Sequence, residues 1–520
     1  MGEARKPRHQ HPATGQLEEM RARVERARTG GGPEAAARQH AAGKLTARER
    51  LDLLLDEDSF EETDLLVHGA EGRSYAGDGV VAGFGRVGGR PVCAYAHDYT
   101  VWSGTMGVAQ AHKICKVLDL AFESGLPVLS LCDSAGARLE EGVDSLGGYG
   151  EIFHRHVAAS GHIPQLCAIL GPCAGGAVYA PALHDFVFMV DGISHMYLTA
   201  PELVAGVGGE ACDPETLGGA AMHSSRSGVC HFLARSEPDC FRQMRELLDY
   251  LPQNWRERAK PVMPSDDPRR PSEVLGALTE MDPKKPYRIC EVIWEIADGH
   301  QFLEVHKEFA RNIVTGFIRL NGESVGVVAN NPAYLSGALD ISASEKAARF
   351  VRFCDCFNIP LLTLVDVPGY WPGLEQEYNG IIRKGAKLVY AYCQSSVPKV
   401  TVVLRKAYGG AYEVMGSKHI RGDVNFAWPS AEIAVMGPAR AVEVLHAERI
   451  RAAADPEAER RCLVDDYVRD YASPYQAARR GYIDEVIDAR QTRSKVIRAL
   501  QFLRQKQGAR IPKKHGNIPF

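Results

Sequence analysis

The chain has 520 residues, 45% hydrophobic and 24% charged, enough to bury more than one core. Its formal net charge of −4 supplies no global field that would gather nucleic acid or an acidic membrane. Apolar runs such as Val128 to Cys132 and Val400 to Leu404 are far shorter than the ~20 residues that span a bilayer. Met1 to Gly15 has no apolar signal core, so the expected location is cytoplasmic.

In chain order, residues 1–65 carry Leu17, Met20, Val24 and then Leu51, Leu53, Leu54 and Leu55 at helical spacings, broken by Gly30-Gly31-Gly32-Pro33. They predict an N-terminal helical arm. Residues 66–260 predict a first domain, the Pro- and charge-rich stretch 261–285 a linker, and residues 286–520 a second domain.

The two domains read as copies of each other. Val81-Ala82-Gly83-Phe84-Gly85-Arg86-Val87-Gly88-Gly89 resembles Val314-Thr315-Gly316-Phe317-Ile318-Arg319-Leu320-Asn321-Gly322, and the separation of Gly83 from Gly316 is kept at Ser103/Ser336, Gly104/Gly337, Lys113/Lys346, Pro127/Pro360 and Asp133/Asp366. One inserted residue later, Pro164 matches Pro398, and Gly175-Gly176-Ala177 matches Gly409-Gly410-Ala411. A register held this long marks an internal duplication. Within each copy a pair of strands precedes a helix (109–122; 344–357), an apolar strand ending in Asp, a glycine turn, a further helix, a second apolar strand and a Gly-Gly-Ala turn. That order predicts an α/β fold with a largely parallel sheet.

Several tempting signals have plainer readings. Gly83-Phe84-Gly85-Arg86-Val87-Gly88 fits G-x-G-x-x-G, but a strand follows it where a dinucleotide site needs a helix, so it reads as a hairpin. His154 and His156 sit two apart on a helix, about 200° apart in azimuth, and cannot share a metal from that element. The thirteen cysteines are scattered without a Cys-x-x-Cys pair and read as buried thiols, so no metal site is expected. Arg421-Gly422-Asp423 reads as a turn. Neither a G-x-x-x-x-G-K-[ST] loop nor a G-x-S-x-G elbow occurs, which argues against ATP hydrolysis and serine-hydrolase chemistry.

Four glycine turns remain, each at the end of an apolar strand: Asp133-Ser134-Ala135-Gly136-Ala137-Arg138, Gly171-Pro172-Cys173-Ala174-Gly175-Gly176-Ala177, Asp366-Val367-Pro368-Gly369-Tyr370 and Lys406-Ala407-Tyr408-Gly409-Gly410-Ala411-Tyr412. Small residues let a ligand oxygen approach the backbone, where amides at a helix start can hydrogen-bond developing negative charge. Glycine also serves tight packing, and the recurrence in both copies is what favours a site.

These segments carry a resemblance. Asp144-Ser145-Leu146-Gly147-Gly148-Tyr149-Gly150-Glu151-Ile152-Phe153, Gly171 to Tyr179, Arg405 to Tyr412, Ala427-Trp428-Pro429 and Glu432 to Gly437 are similar to the carboxyltransferase (β) subunits of biotin-dependent acyl-CoA carboxylases, nearest in pattern to the propionyl-CoA type. The likeness runs from about Leu45 to the terminal His515-Gly516-Asn517-Ile518-Pro519-Phe520. It implies two tandem crotonase (ClpP)-like domains after the helical arm. It also implies a homo-oligomer, a hexamer built as a trimer of dimers, with sites where the N-half of one protomer meets the C-half of another.

The resemblance implies the chemistry too: carboxyl transfer from carboxybiotin to the α-carbon of an acyl-CoA, through enolates held in two oxyanion holes. Ala135, Gly136 and Gly176 would hold the thioester oxygen, and Gly369, Tyr370, Gly410 and Ala411 the ureido oxygen of biotin. Gly175, Ala177, Tyr408, Gly409 and Tyr412 would line the two binding surfaces. Biotin serves as its own base in such a scheme, so no Ser/His/Asp set is required. No biotin-attachment motif is seen, so the biotin would arrive on a biotin carboxylase/biotin carrier α subunit.

Departures from the family pattern bear on the substrate. Ala135 replaces a glycine, Tyr370-Trp371 replaces Phe-Leu, and Tyr99 to Gly107 differs from the usual run. Glu413 stands where propionyl-type subunits have Asp, at a position the family links to acyl choice, so a non-standard acyl-CoA is a further expectation. The competing expectations are a biotin-dependent decarboxylase subunit running the transfer backwards and an inactive CoA-binding scaffold.

Overall fold

The computed structural model describes residues 12–69, 75–208, 212–264, 266–282, 285–506, 508 and 512–519. The chain forms two compact units, Met1–His223 with Val229–Glu246, and Ser224–Gly228 with Leu247–Phe520. The stretch 261–285, expected as a linker, therefore falls within the second unit, and the arm expected over 1–65 counts with the first.

The first unit holds α1 (Pro12–Arg28), α2 (Pro33–Ala41), α3 (Ala47–Leu54), α4 (Val108–Ser124) and α5 (Val143–Ala159). Thr46 starts α3 with a capping box, its hydroxyl accepting from Glu49 N–H while the Glu49 carboxylate accepts from Thr46 N–H. Gly125 ends α4 in the left-handed region, φ 65°, a conformation that costs glycine no Cβ clash.

The first sheet contains β1 (Glu61–Thr63), β2 (Val80–Val87), β3 (Arg90–His97), β4 (Val128–Ser134), β5 (Gln165–Ala174), β6 (Phe186–Val190), β7 (His195–Tyr197) and β8 (Phe232–Ala234). Its order is β1-β2-β3-β4-β5-β6-β8, with β7 beside β5. Pairing is antiparallel from β1 to β3 and parallel thereafter. The G-x-G-x-x-G segment is the β2–β3 hairpin, with Val87 opposite Arg90. β4 is buried along its whole length, as expected of a parallel strand covered on both faces.

The second unit repeats this strand for strand. Its strands are β9 (Leu303–Val305), β10 (Ile313–Leu320), β11 (Glu323–Asn330), β12 (Leu361–Val367), β13 (Lys399–Tyr408), β14 (Val424–Ala427), β15 (Glu432–Ala434) and β16 (Glu485–Val486), in the order β9-β10-β11-β12-β13-β14-β16 with β15 beside β13. The duplication extends to single bonds. Lys113 Nζ donates to the carbonyls of Gly77 and Val80, and Lys346 Nζ reaches Ala310 and Ile313, the same positions in the second copy. Ser103 and Ser336 share a left-handed φ, 52° and 54°. The register slips just before both first turns, between Cys132 and Ser134 and between Val365 and Val367, a bulge that re-aims the strand end.

Inside the first unit two histidines are held neutral. His156 Nδ1 lies 2.7 Å from Gln165 Oε1, and His184 bridges Ala180 O and Ser130 Oγ at 2.7 Å each. Burial pushes His156 down from 6.5 to about 4 and His184 well below its ordinary value. A depressed histidine leaves the unfolded chain binding more protons than the folded one below pH 6.5, so stability falls as pH drops from 6.5 toward about 4. His156→Gln should flatten this slope in unfolding midpoints measured across that range; parallel wild-type and variant curves would refute it.

Candidate active site

In both units the two glycine turns lie side by side because they leave the carboxyl ends of adjacent parallel strands. Ser134 of β4 is in register with Cys173 of β5, and Val367 of β12 with Ala407 of β13. Ligands in α/β sheets collect at such strand ends. A Cβ on Gly136, whose φ is 107°, would lie 3.1 Å from Ala174 O, so the first turn of the N-half touches the residue leading into the second.

The turn after β5 begins a short helix at Gly175–Val178, and the turn after β13 begins one at Gly409–Val414; no side chain caps either. The first N–H groups of a helix have no intrahelical acceptor. Gly175 and Gly409 match in φ, 61° and 59°. Gly176 is half-buried and Gly410 exposed, and a Cβ added to Gly410 would meet nothing within 4 Å. Ala177 and Ala411 are buried behind them.

The turns after β4 and β12 are differently employed. Ala135 N–H donates to Ser103 O at 3.0 Å, and Gly136 N–H to Ser134 Oγ at 3.2 Å. Proline occupies the position of Ala135 in the second copy, Pro368, and has no N–H. Gly369 O accepts from Leu339 N–H at 3.1 Å, as Gly136 O does from Met106 N–H at 2.8 Å. The Ala135 and Gly136 amides are thus engaged, while the first amides of the two Gly-Gly-Ala turns have no capping side chain.

The aromatic residues frame the second-copy turns. Tyr370 is half-buried, and burial pushes its hydroxyl up to about 12. Tyr408 donates its hydroxyl to Glu432 Oε2. Tyr412 is buried edge-on to His419 at 5.7 Å. Glu413 points to solvent.

Behind each first turn lies a buried carboxylate. Asp366 is paired with Arg405, Nε to Oδ2 at 2.8 Å, from its own β13. In the first copy the matching residue is Gly171, where a Cβ would fall 2.0 Å from Asp133 Oδ1. The cations come instead from the N-terminal arm: Lys44 Nζ at 3.0 Å and Arg50 Nη1 at 2.9 Å from Asp133, with Arg50 also binding Glu237. Sequence reasoning missed Lys44 and Arg50, and quoted Ser134 and Tyr149 without a role. The only prior signal for Tyr149 was its place on the buried stripe Ser145, Tyr149, Ile152 and His156 of α5.

The carboxyl transferase domain family matches residues 38–518. The chain belongs to the carboxyl transferase family. This carboxyltransferase is 52% identical over 510 residues to the propionyl-CoA carboxylase carboxyltransferase subunit of Haloferax mediterranei, covering 97% of this chain and 99% of that one. It is 47% identical over 514 residues to the methylmalonyl-CoA decarboxylase subunit alpha of Propionigenium modestum, covering 98% and 99%. The crystal structure of the transcarboxylase 12S hexamer, with methylmalonyl-coenzyme A and methylmalonic acid bound, matches with a TM-score of 0.96 at 45% identity, covering 99% of this carboxyltransferase and all of that chain. The expectation of tandem crotonase-type α/β domains carrying a carboxyltransferase role therefore stands. No helix among the described residues is long and apolar enough to cross a membrane.

Proposed function

We propose that this carboxyltransferase moves a carboxyl group from carboxybiotin, delivered on a biotin carrier α subunit, to the α-carbon of a short acyl-CoA of the propionyl type. The observation that carries this reading is the uncapped Gly-Gly-Ala turn present in both copies at the same strand end. In this assignment Gly175 and Gly176 donate to the thioester oxygen, and Gly410 and Ala411 to the ureido oxygen. Ala135 and Gly136 shape a wall, because their amides already have acceptors, and Gly369 and Tyr370 flank the second-copy turn, with the Gly369 carbonyl taken by Leu339 N–H.

Removing the α-proton of a thioester moves charge onto its carbonyl oxygen. Amides already fixed at that oxygen stabilise the change without reorganising. Carboxybiotin would supply the carboxyl group and, once that group has left, a ureido nitrogen able to take the proton. The chain's own contribution is to hold both oxygens and to wall them off from water. The exposed Gly410, with open space before it, fits a ligand oxygen approaching the backbone. A hexamer like that of the transcarboxylase 12S relative is the proposed assembly.

The test is carboxylation of an acyl-CoA panel by the chain reconstituted with a biotin carboxylase/biotin carrier partner, ATP and bicarbonate; no product with any acyl-CoA would reject the proposal. A second reading, the same transfer run toward decarboxylation, is favoured by the 47% identity to the Propionigenium modestum subunit. It predicts loss of carboxyl from methylmalonyl-CoA onto the carrier without ATP as the faster direction.

Glu413 follows the second copy's Gly-Gly-Ala turn and is exposed, at a position that the family likeness links to acyl choice. Glu413→Asp should shift relative kcat/KM among acetyl-, propionyl- and butyryl-CoA by about tenfold, the low end of what one methylene does to discrimination. Superimposable profiles would take Glu413 out of acyl selection.

A further inference from the structure

We propose that Tyr149 is a positioning residue for carboxyl transfer, joining the two glycine turns of the first copy; the inference rests on the proposed function. Tyr149 projects from α5 and is only 4% exposed, yet its hydroxyl has no hydrogen-bond partner. A buried hydroxyl left unpaired costs about 1–3 kcal/mol, so this one is expected to earn its place in a state other than the empty chain.

The surroundings show what it would join. A Cβ placed on Gly176 would lie 3.3 Å from the Tyr149 ring, so the ring backs the Gly175-Gly176 turn directly. At its other end the Ser134 hydroxyl lies beside the phenol without meeting hydrogen-bond geometry. Ser134 Oγ already accepts Gly136 N–H at 3.2 Å. A hydroxyl oxygen has two acceptor sites, so it can take the Tyr149 O–H as well. One side chain thus spans from the amide turn to its wall.

The fold itself does not need this tyrosine. The second copy builds the same sheet, but the matching positions of its helix Ile381–Gln394 are Ile382 and Arg383, both exposed. Tyr149 therefore belongs to the half assigned to the acyl-CoA and has no counterpart in the half assigned to biotin. As charge develops on the thioester oxygen bound at Gly176, a small inward shift of the Gly175-Gly176 turn presses the ring toward Ser134 and closes the Tyr149 to Ser134 hydrogen bond. The bond then holds the Gly176 amide in place as charge develops.

The experiment compares wild type, Tyr149→Phe, Ser134→Ala and the double variant in the reconstituted assay with propionyl-CoA, alongside thermal unfolding. Tyr149→Phe keeps the ring and removes an unpaired buried hydroxyl, so Tm should hold or rise while kcat falls about tenfold, the scale of one hydrogen bond. KM for propionyl-CoA should stay within about twofold, because the bond forms after binding. The double variant should be no slower than the slower single variant, since both remove the same link.

Unchanged kcat in Tyr149→Phe, a fall in kcat matched by a fall in Tm, or multiplicative effects in the double variant would each overturn the inference while leaving the proposed function intact. An inactive wild type would overturn both.

Discussion

Gly410→Pro should lower carboxyl transfer by about a hundred- to a thousand-fold, the usual effect of removing one oxyanion donor, while the protein stays folded. The substitution removes one N–H and little else. Gly410 is the second residue of its short helix, a position where proline's fixed φ is tolerated and where no intrahelical bond is lost. A Cβ added there meets no atom beyond its chain neighbours within 4 Å. Gly410→Ala is the control, because it adds a Cβ in the same direction but keeps the donor. Steady-state rates, circular dichroism and light scattering on the three proteins separate the cases. If Ala and Pro variants are equally slow, crowding and not the missing hydrogen bond is responsible; if the Pro variant turns over normally, Gly410 is not a donor at all.

The second large effect is on stability. Arg50 is fully buried, 0% exposed, and its guanidinium binds Asp133 Oδ2, both oxygens of Glu237 and the Leu170 carbonyl. Arg50→Met preserves most of the volume but leaves Asp133 with Lys44 and Gln39, and Glu237 with the Leu45 N–H, as close partners. Removing one member of a buried charge cluster costs about 3–5 kcal/mol. The first unit of Arg50→Met should therefore unfold at distinctly lower urea, and the soluble yield should fall. Because Asp133 immediately precedes the Ser134 to Gly136 turn, activity should decline before global unfolding. A urea midpoint equal to wild type would show that the cluster contributes no net stability.

That cluster also marks how far sequence reading reached. The α/β class and the duplication were legible, because apolar runs of strand length alternate with helical ones and keep one register through both copies. The four turns were legible for a related reason: a strand that ends in a glycine-rich turn marks its own end. The pairing of Arg50 with Asp133 was not, since they are 83 residues apart and nothing in either neighbourhood records the other. The same holds for Gly171, whose lack of a side chain makes sense only when Asp133 and Lys44 are seen to fill the space. The arm was legible as helices, but its role in neutralising the first domain was not.

From the chain of amino acids alone came the repeated α/β architecture, the positions of the glycine turns and the likeness to carboxyltransferases, all carried by local periodicity and by motifs written contiguously. Tertiary structure decided which of those turns still has amides to offer. Ala135 N–H meets Ser103 O and Gly136 N–H meets Ser134 Oγ, whereas the Gly175 and Gly409 turns go uncapped. The physical reason is that an amide's donor is fixed by the residue but its acceptor is set by whatever the fold brings within about 3 Å, and that neighbour is seldom near in sequence.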